Sequence, residues 1–519
     1  MKHSTILSTS LILFAIKSTA LTVPQHRLNI PSRPYNSFNP STPEHKKIDI
    51  APPSLEDDEY EYTESSKLKH PYTIILQESE SRPWNSILRD FGFKIKKSSK
   101  THKYGMMSYS YDDRDIRTFG HTIRAFTILM TEREAKLMLG NPAIANLEKT
   151  AKREYAVMPH NPLDQPKHLP VDTKDSEKRI NFDIMKRDDR PYFHDVSDNA
   201  VWISQANAPW HLQRVSCSLQ VDLRGRAPTD LSYNYRYEQL AGQGVDVYVV
   251  DSGINVDHVD FDGRAQMIFS YFGKSEDDVG HGTHTAGTIG SVHYGVAKNV
   301  NIFGIKVGNS EGINGAAIVA GIDAAITNHN KRKNLPGFMG SIISMSIGTS
   351  PPAQSDYLAL KRALDAGMHA SVAAMNSNAD ACESSPGAFS RELPLINVGA
   401  LDLKDARAEF SNYGKCVDVY APGVSIVSTF NGNSTAIMSM DGTSMACPIV
   451  TGIIADELVK HPDLKLDPKA MKAHILEKAL KGVIKASLNM TGTEGLVNNG
   501  FRSEPRPKPA DAKAFLWES

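Results

Sequence analysis

The sequence predicts an α/β protein, in which a parallel sheet covered by helices on both faces is preceded by a small α+β unit. Three observations carry that expectation. First, from about residue 241 apolar, β-branched runs recur: "VDVYVVD" (245–251), "NIFGIKVG" (301–308), "GSIISMSIG" (340–348), "HASVAAMN" (369–376), "PLINVGA" (394–400) and "CVDVYAPG" (416–423). Second, helical stretches such as "GAAIVAGIDAAITNH" (315–329) and "YLALKRALDAG" (357–367) lie between several of them. Strands apolar on both faces that alternate with helices belong to a buried parallel sheet. Third, a separate alternation of strand-like and helix-like runs fills residues 71–156: "YTIILQE" (72–78), "WNSILRDFGF" (84–93), "TIRAFTILM" (122–130), "EREAKLMLG" (132–140) and "IANLEK" (144–149). Its size and mixed periodicity give the small α+β unit.

The N-terminus reads as an address rather than as structure. Met1-Lys2-His3 is followed by the apolar patch "LILFAI" (11–16) and "KSTA" (17–20), the pattern of a secretory signal cleaved after Ala20. Residues 21–70 hold a proline-rich stretch and the acidic run "EDDEYEYTE" (56–64), too polar to bury a core, so a flexible leader is expected. Residues 157–204 form a polar connector with two basic pairs, Lys178-Arg179 and Lys186-Arg187, which are either solvated linker or processing sites. The main domain then spans 205–500, and 501–519 form a tail.

Charge excludes some roles. Lys and Arg number 58 against 59 Asp and Glu, so no net field draws the chain to nucleic acid or an anionic membrane. No run of about 18 apolar residues predicts a spanning helix, and a monomer is expected. Four cysteines (217, 382, 416, 447) and two glycosylation sequons, at Asn433 and Asn489, suit the secretory route, secreted or vacuolar. No cysteine pattern predicts structural zinc.

The residues that bear chemistry stand at the ends of these elements. Ligands on a parallel sheet bind beyond the carboxyl ends of its strands, where Asp251 and Asn376 fall. Asp251 closes a buried strand, and a desolvated carboxylate there needs donors. In "DDVGHGTHTAG" (277–287), His281 opens a helical run; its spacing to His284 and the lack of an intervening Glu argue against zinc. Ser444, in "DGTSMACP" (441–448), opens another helix, where it would either cap the backbone or sit beside outward-facing N–H groups ready for an oxyanion.

Taken together, these segments resemble the subtilases, the subtilisin-like serine peptidases, and most closely the proteinase K and cerevisin branch. "VVDSGI", "GHGTHTAG" and "GTSMACP" match the family's three signatures, in the chain order Asp, His, Ser that subtilisin itself shows. "DFDGRAQM", "YGVAK", "FGIKV" and "NAPWHLQRVS" match in order and spacing, so the likeness covers about 205–500. The resemblance implies that Asp251 orients, His281 serves as general base and then acid, Ser444 is the nucleophile and Asn376 completes the oxyanion site. It implies a substrate strand at Ser346, Ile347 and Gly348, an opposite wall containing Gly312, and extended protein or peptide chains as substrates. The unit at 71–156 resembles the family's inhibitory propeptide, hence a zymogen, although about forty residues more than usual separate it from the main domain. The rival reading is a self-processed subtilase that stays capped and acts as a binding protein.

Departures from the family carry their own expectations. Met375 stands where the family has glycine and should make the primary pocket shallow. A Cys382–Cys416 disulfide is expected from cerevisin-like relatives, with Cys447 a buried apolar residue. No cofactor is required for the chemistry, but Asp418 matches the family's main calcium carboxylate, so a structural calcium is the one metal the resemblance suggests.

Overall fold

The computed structural model describes residues 68–93, 106–111, 114–158, 201–223, 225–485, 490 and 494–501. The expected signal segment, most of the leader, both basic pairs, the Asn489 sequon and the tail beyond 501 lie outside the described residues. The described residues belong to one compact unit.

A nine-stranded sheet organises the main body. Its spatial order is Ala265–Ser270, Asn301–Lys306, Val245–Asp251, Gly340–Met345, His369–Ala373, Ile396–Leu401, Val419–Pro422, Gly495–Leu496 and Leu480–Lys481. Every pairing is parallel except the last. The predicted parallel sheet is therefore present. The period-two geometry of a strand divides its side chains between two cores. Val245, Val247 and Val249 pack with helices His281–Gly290 and Thr443–Lys460, while Tyr248 and Val250 pack with Gly315–Arg332 and Gln354–Asp365. After Val245–Asp251 the chain builds two strands on one side and then crosses to Gly340–Met345 on the other. That reversal opens a crevice at the carboxyl edge.

The run 340–348 does not stay one strand. It breaks at Ser346 into Gly340–Met345, in the large sheet, and Ile347–Gly348, which leaves it. Pro448 lies in the second turn of Thr443–Lys460. A proline there removes the N–H that would bond the Ser444 carbonyl, and Ser346 Oγ donates to that carbonyl instead at 2.9 Å.

The small unit is a five-stranded antiparallel sheet in the order Met107–Tyr111, Arg114–Phe119, Ala125–Met130, His70–Leu76 and Ile144–Lys149. Helices Trp84–Asp90 and Glu132–Met138 cover it around Ile74, Leu76, Phe126 and Ile128. The sequence pattern did not reveal its 107–119 hairpin. The unit rests on the outer helices of the main body. Asp323, on Gly315–Arg332, accepts the backbone N–H groups of His121, Thr122 and Ile123 at 2.8, 2.7 and 2.6 Å. Arg362 donates to the Thr122 carbonyl at 2.7 Å.

Candidate active site

Asp251 ends its strand at the crevice, and His281 begins helix His281–Gly290 beside it. Both are 1% exposed. His281 Nδ1 lies 2.8 Å from Asp251 Oδ1 and 3.0 Å from Oδ2. A carboxylate only accepts, so Nδ1 donates and Nε2 presents its lone pair to the cleft. That Nε2 is buried without a hydrogen-bond partner. The donors Asp251 needed are found: the Ser252 N–H at 2.7 Å and Thr285 Oγ1 at 3.5 Å join the imidazole.

Asp277 holds this corner together, and the sequence reading did not single it out. Its carboxylate accepts from Ser252 Oγ at 2.8 Å, from the N–H groups of Gly280 and Thr283 at 2.8 and 2.9 Å, and from Thr283 Oγ1 at 2.6 Å. It thereby covers the orphan donors at the start of the histidine's helix, where negative charge is favoured. An acid four positions before His281 was the available signal. His284 is buried one turn further in, and its Nε2 donates to the carbonyls of Ile426 and Met438 at 3.0 and 3.1 Å. Burial pulls its pKa down to about 3, so it is a neutral packing residue.

Ser444 lies in the first turn of Thr443–Lys460, whose N-cap is Gly442; the serine is not a cap. Its Oγ donates to the Ser346 carbonyl at 2.9 Å rather than to His281. The structure thus forms the acid–imidazole contact but leaves the hydroxyl turned away from Nε2. Asn376 Oδ1 accepts from the Thr443 N–H at 3.0 Å and from Thr443 Oγ1 at 2.9 Å. A backbone N–H can only donate, which fixes the amide orientation and makes Nδ2 the donor left over. Nδ2 is buried without a partner.

A segment of the chain occupies the cleft. Strand Lys152–Tyr155 lies antiparallel between two walls. Ile347 pairs with Tyr155 and Gly348 with Glu154 on one edge, while Ile313 pairs with Arg153 and Asn314 with Lys152 on the other. The opposite wall therefore acts through Ile313 and Asn314, whereas Gly312, the residue expected there, pairs with Asn309. Ala156 follows. Its N–H donates to the Ser346 carbonyl at 3.1 Å, and its carbonyl accepts the Ser444 N–H at 2.8 Å. Gly442 has φ 152°, and a Cβ there would stand 2.4 Å from that same carbonyl oxygen, so the approach requires glycine. The Tyr155 ring lies 4.8 Å from the His281 ring.

Met375, at φ 77°, holds a left-handed conformation unusual for a residue with a Cβ. Its Sδ lies 2.7 Å from where a Cβ on Gly348 would stand, so its side chain fills space beside the cleft wall. Ala156 and Met375 belong to one buried apolar cluster.

Cys382 and Cys416 form a disulfide, with Cα atoms 5.3 Å apart, while Cys447 is buried and Cys217 half-buried outside it. Asp418 already has a cation. Lys472 Nζ lies 2.8 Å from its Oδ1 and also meets the carbonyls of Ser390 and Leu395 at 2.7 and 2.8 Å. Asp418 Oδ2 takes the Asn397 N–H at 2.8 Å. One carboxylate oxygen and two carbonyls around a positive centre is a calcium-like donor set, but an ammonium fills it. The donors do not fit calcium alongside Lys472.

The subtilase family model matches residues 242–501, and the chain belongs to that family. It is 40% identical over 301 residues to the subtilisin-like serine protease Pen c 2 of Penicillium citrinum, covering 54% of this chain and 63% of that protein. It is 39% identical over 307 residues to alkaline protease 2 of Aspergillus fumigatus, covering 56% and 59%. The matched part of the chain thus spans less than two thirds of the length of these curated relatives. Among solved structures, a cold-adapted subtilisin-like serine proteinase matches at 33% identity with a TM-score of 0.49, covering 57% of this chain and 99% of that one.

Proposed function

We propose that the protein is a serine endopeptidase made as a zymogen and held by its own residues 71–156. In this reading Asp251 orients His281, and His281 Nε2 takes the Ser444 proton once the hydroxyl rotates from the Ser346 carbonyl. Ser444 Oγ bonds to the scissile carbonyl carbon, and the oxyanion this forms on the carbonyl oxygen is held by the Ser444 N–H and Asn376 Nδ2. His281 then returns the proton to the leaving amine, and water releases the acyl group by the same route. The observation that carries the reading is the register of the occupied cleft. Two strands grip Lys152–Tyr155 by its backbone, and the Ala156 carbonyl rests on the Ser444 N–H, as the carbonyl of a bond about to be cut would.

The register supports a cut at Ala156–Val157, ahead of both basic pairs. A small residue before the cut agrees with Met375 narrowing the pocket. The disulfide and the exposed Asn433 sequon support entry into the secretory pathway. Among the described residues, no helix is long and apolar enough to cross a membrane.

The test is the fate of the full-length chain. Wild type should release a fragment ending at Ala156, seen by mass, and should react with a fluorophosphonate probe. Ser444→Ala should do neither. A wild-type chain that is never cut at 156–157 and never labelled would overturn the reading and favour a permanently capped protein.

A further inference from the structure

The side chain three residues before Ala156 is an arginine buried in the main body. On the gripped strand, Lys152 and Glu154 are exposed while Arg153 is 3% exposed and Tyr155 half-buried, the alternation of an extended chain with one face inward. Arg153 Nη2 lies 3.2 Å from Asp356 Oδ1 and 3.4 Å from Ser355 Oγ, and Nη1 donates to the Ala151 carbonyl at 3.2 Å. Both side chains of the Arg153–Asp356 pair are 0% exposed. Gly315 forms a wall of the same recess, since a Cβ there would stand 3.0 Å from Nη2 and 3.1 Å from Cζ.

Ownership of these groups decides what the recess is for. Glu148, 3.9 Å from the guanidinium, belongs to the small unit and leaves with it. Asp356, Ser355, Ser385 and Gly315 belong to the main body and remain. Without Arg153, the Asp356 carboxylate keeps the Ser385 hydroxyl at 2.7 Å, loses its only cationic partner among the described residues and faces the emptied recess. A bound peptide covers the recess again, and a guanidinium at that position restores the charge-assisted pair that an uncharged or acidic side chain leaves unmade.

We propose that Asp356 is a specificity-determining residue, and that the mature protein prefers peptides carrying arginine at the fourth position before the cut. The proposal rests on the peptidase reading above. The cleft holds an extended chain by its backbone, so any substrate in this register delivers its fourth side chain to Asp356. A leucine there leaves the carboxylate without a counter-charge, and a glutamate places two carboxylates together.

The experiment uses internally quenched peptides of the form X-Glu-Tyr-Ala-Val, with X as Arg, Leu or Glu, and the mature wild-type protein. The expected kcat/KM for Arg exceeds that for Leu by about tenfold or more, with Glu lowest. In Asp356→Asn, which keeps the shape and removes the charge, the Arg-to-Leu ratio should fall to about one. Equal cleavage of the Arg and Leu peptides by wild type overturns the proposal and leaves the peptidase reading standing, and this comparison needs no variant to fold. A ratio unchanged in Asp356→Asn also overturns it. Failure to cut any peptide overturns the peptidase reading and the proposal with it.

Discussion

Replacing Lys472 with methionine tests the idea that this chain supplies its own cation. The substitution keeps the bulk of the stem and removes the ammonium. Asp418 is 7% exposed at its side chain and Lys472 15%, so the pair is largely shielded from water. Removing one partner of a buried pair costs about 3–5 kcal/mol, because the other charge stays behind. The carbonyls of Ser390 and Leu395 also lose a donor. The expected loss is about 4 kcal/mol, which lowers the melting temperature by roughly 10 °C for a body of this size. Burial already pushes the Asp418 pKa up, and loss of Lys472 pushes it further. A raised carboxyl pKa in the folded state costs stability as pH rises above the unfolded value. The defect should therefore be largest at neutral pH and shrink as pH falls towards about 4. Thermal denaturation of the mature protein across that range measures both effects. Millimolar calcium should recover part of the loss in Lys472→Ala, where the three oxygens are left without a cation, and should do little for wild type at this position. A Lys472→Met protein within about 1 kcal/mol of wild type at neutral pH would refute the reasoning.

Three further outcomes are expected. Asn376→Ala should lower kcat by about 10²–10³ with KM little changed, a magnitude measured in subtilisin itself, and steady-state kinetics would show it. Met375→Gly should raise the Phe-to-Ala ratio of kcat/KM at the residue before the cut by about tenfold, since it opens volume beside Gly348. Burial alone raises the Glu457 pKa, but the His474 hydrogen bond and the charges of Lys460 and Lys478 outweigh it and bring the carboxyl from 4.5 to about 2. A lowered carboxyl pKa stabilises above the unfolded value, so Glu457→Gln should cost about 3 kcal/mol near pH 6, with the gap closing as pH falls towards about 2.

Features repeated along the chain could be read from sequence, and features that depend on distant pairs could not. The strand Val245–Asp251 declared itself because its run of valines and a tyrosine favours a strand, and all seven of its residues are buried. Asp251, His281 and Ser444 stood out because the glycine-rich segments around them resemble the three subtilase signatures in order; each residue alone would have been read as structural. Arg153 and Asp356 are 203 residues apart, and nothing local in "KREY" or "QSDYL" announces a buried pair. Lys472 looked like any solvent-facing lysine on a helix until the fold brought it to Asp418. The small unit's hairpin was missed because its strands are polar and short. The turn of the Ser444 hydroxyl towards Ser346 is a rotamer choice that no pattern encodes.

The grip on strand Lys152–Tyr155 has an evolutionary consequence. Both walls recognise main chain, so they do not distinguish the protein's own segment from a foreign one. On the peptidase reading proposed above, a mutation that tightens the walls would strengthen self-inhibition and substrate capture together, and one that loosens them would weaken both. On that reading selection can separate the two through side-chain recesses, which would make residues 153 to 156 the adjustable part of the restraint.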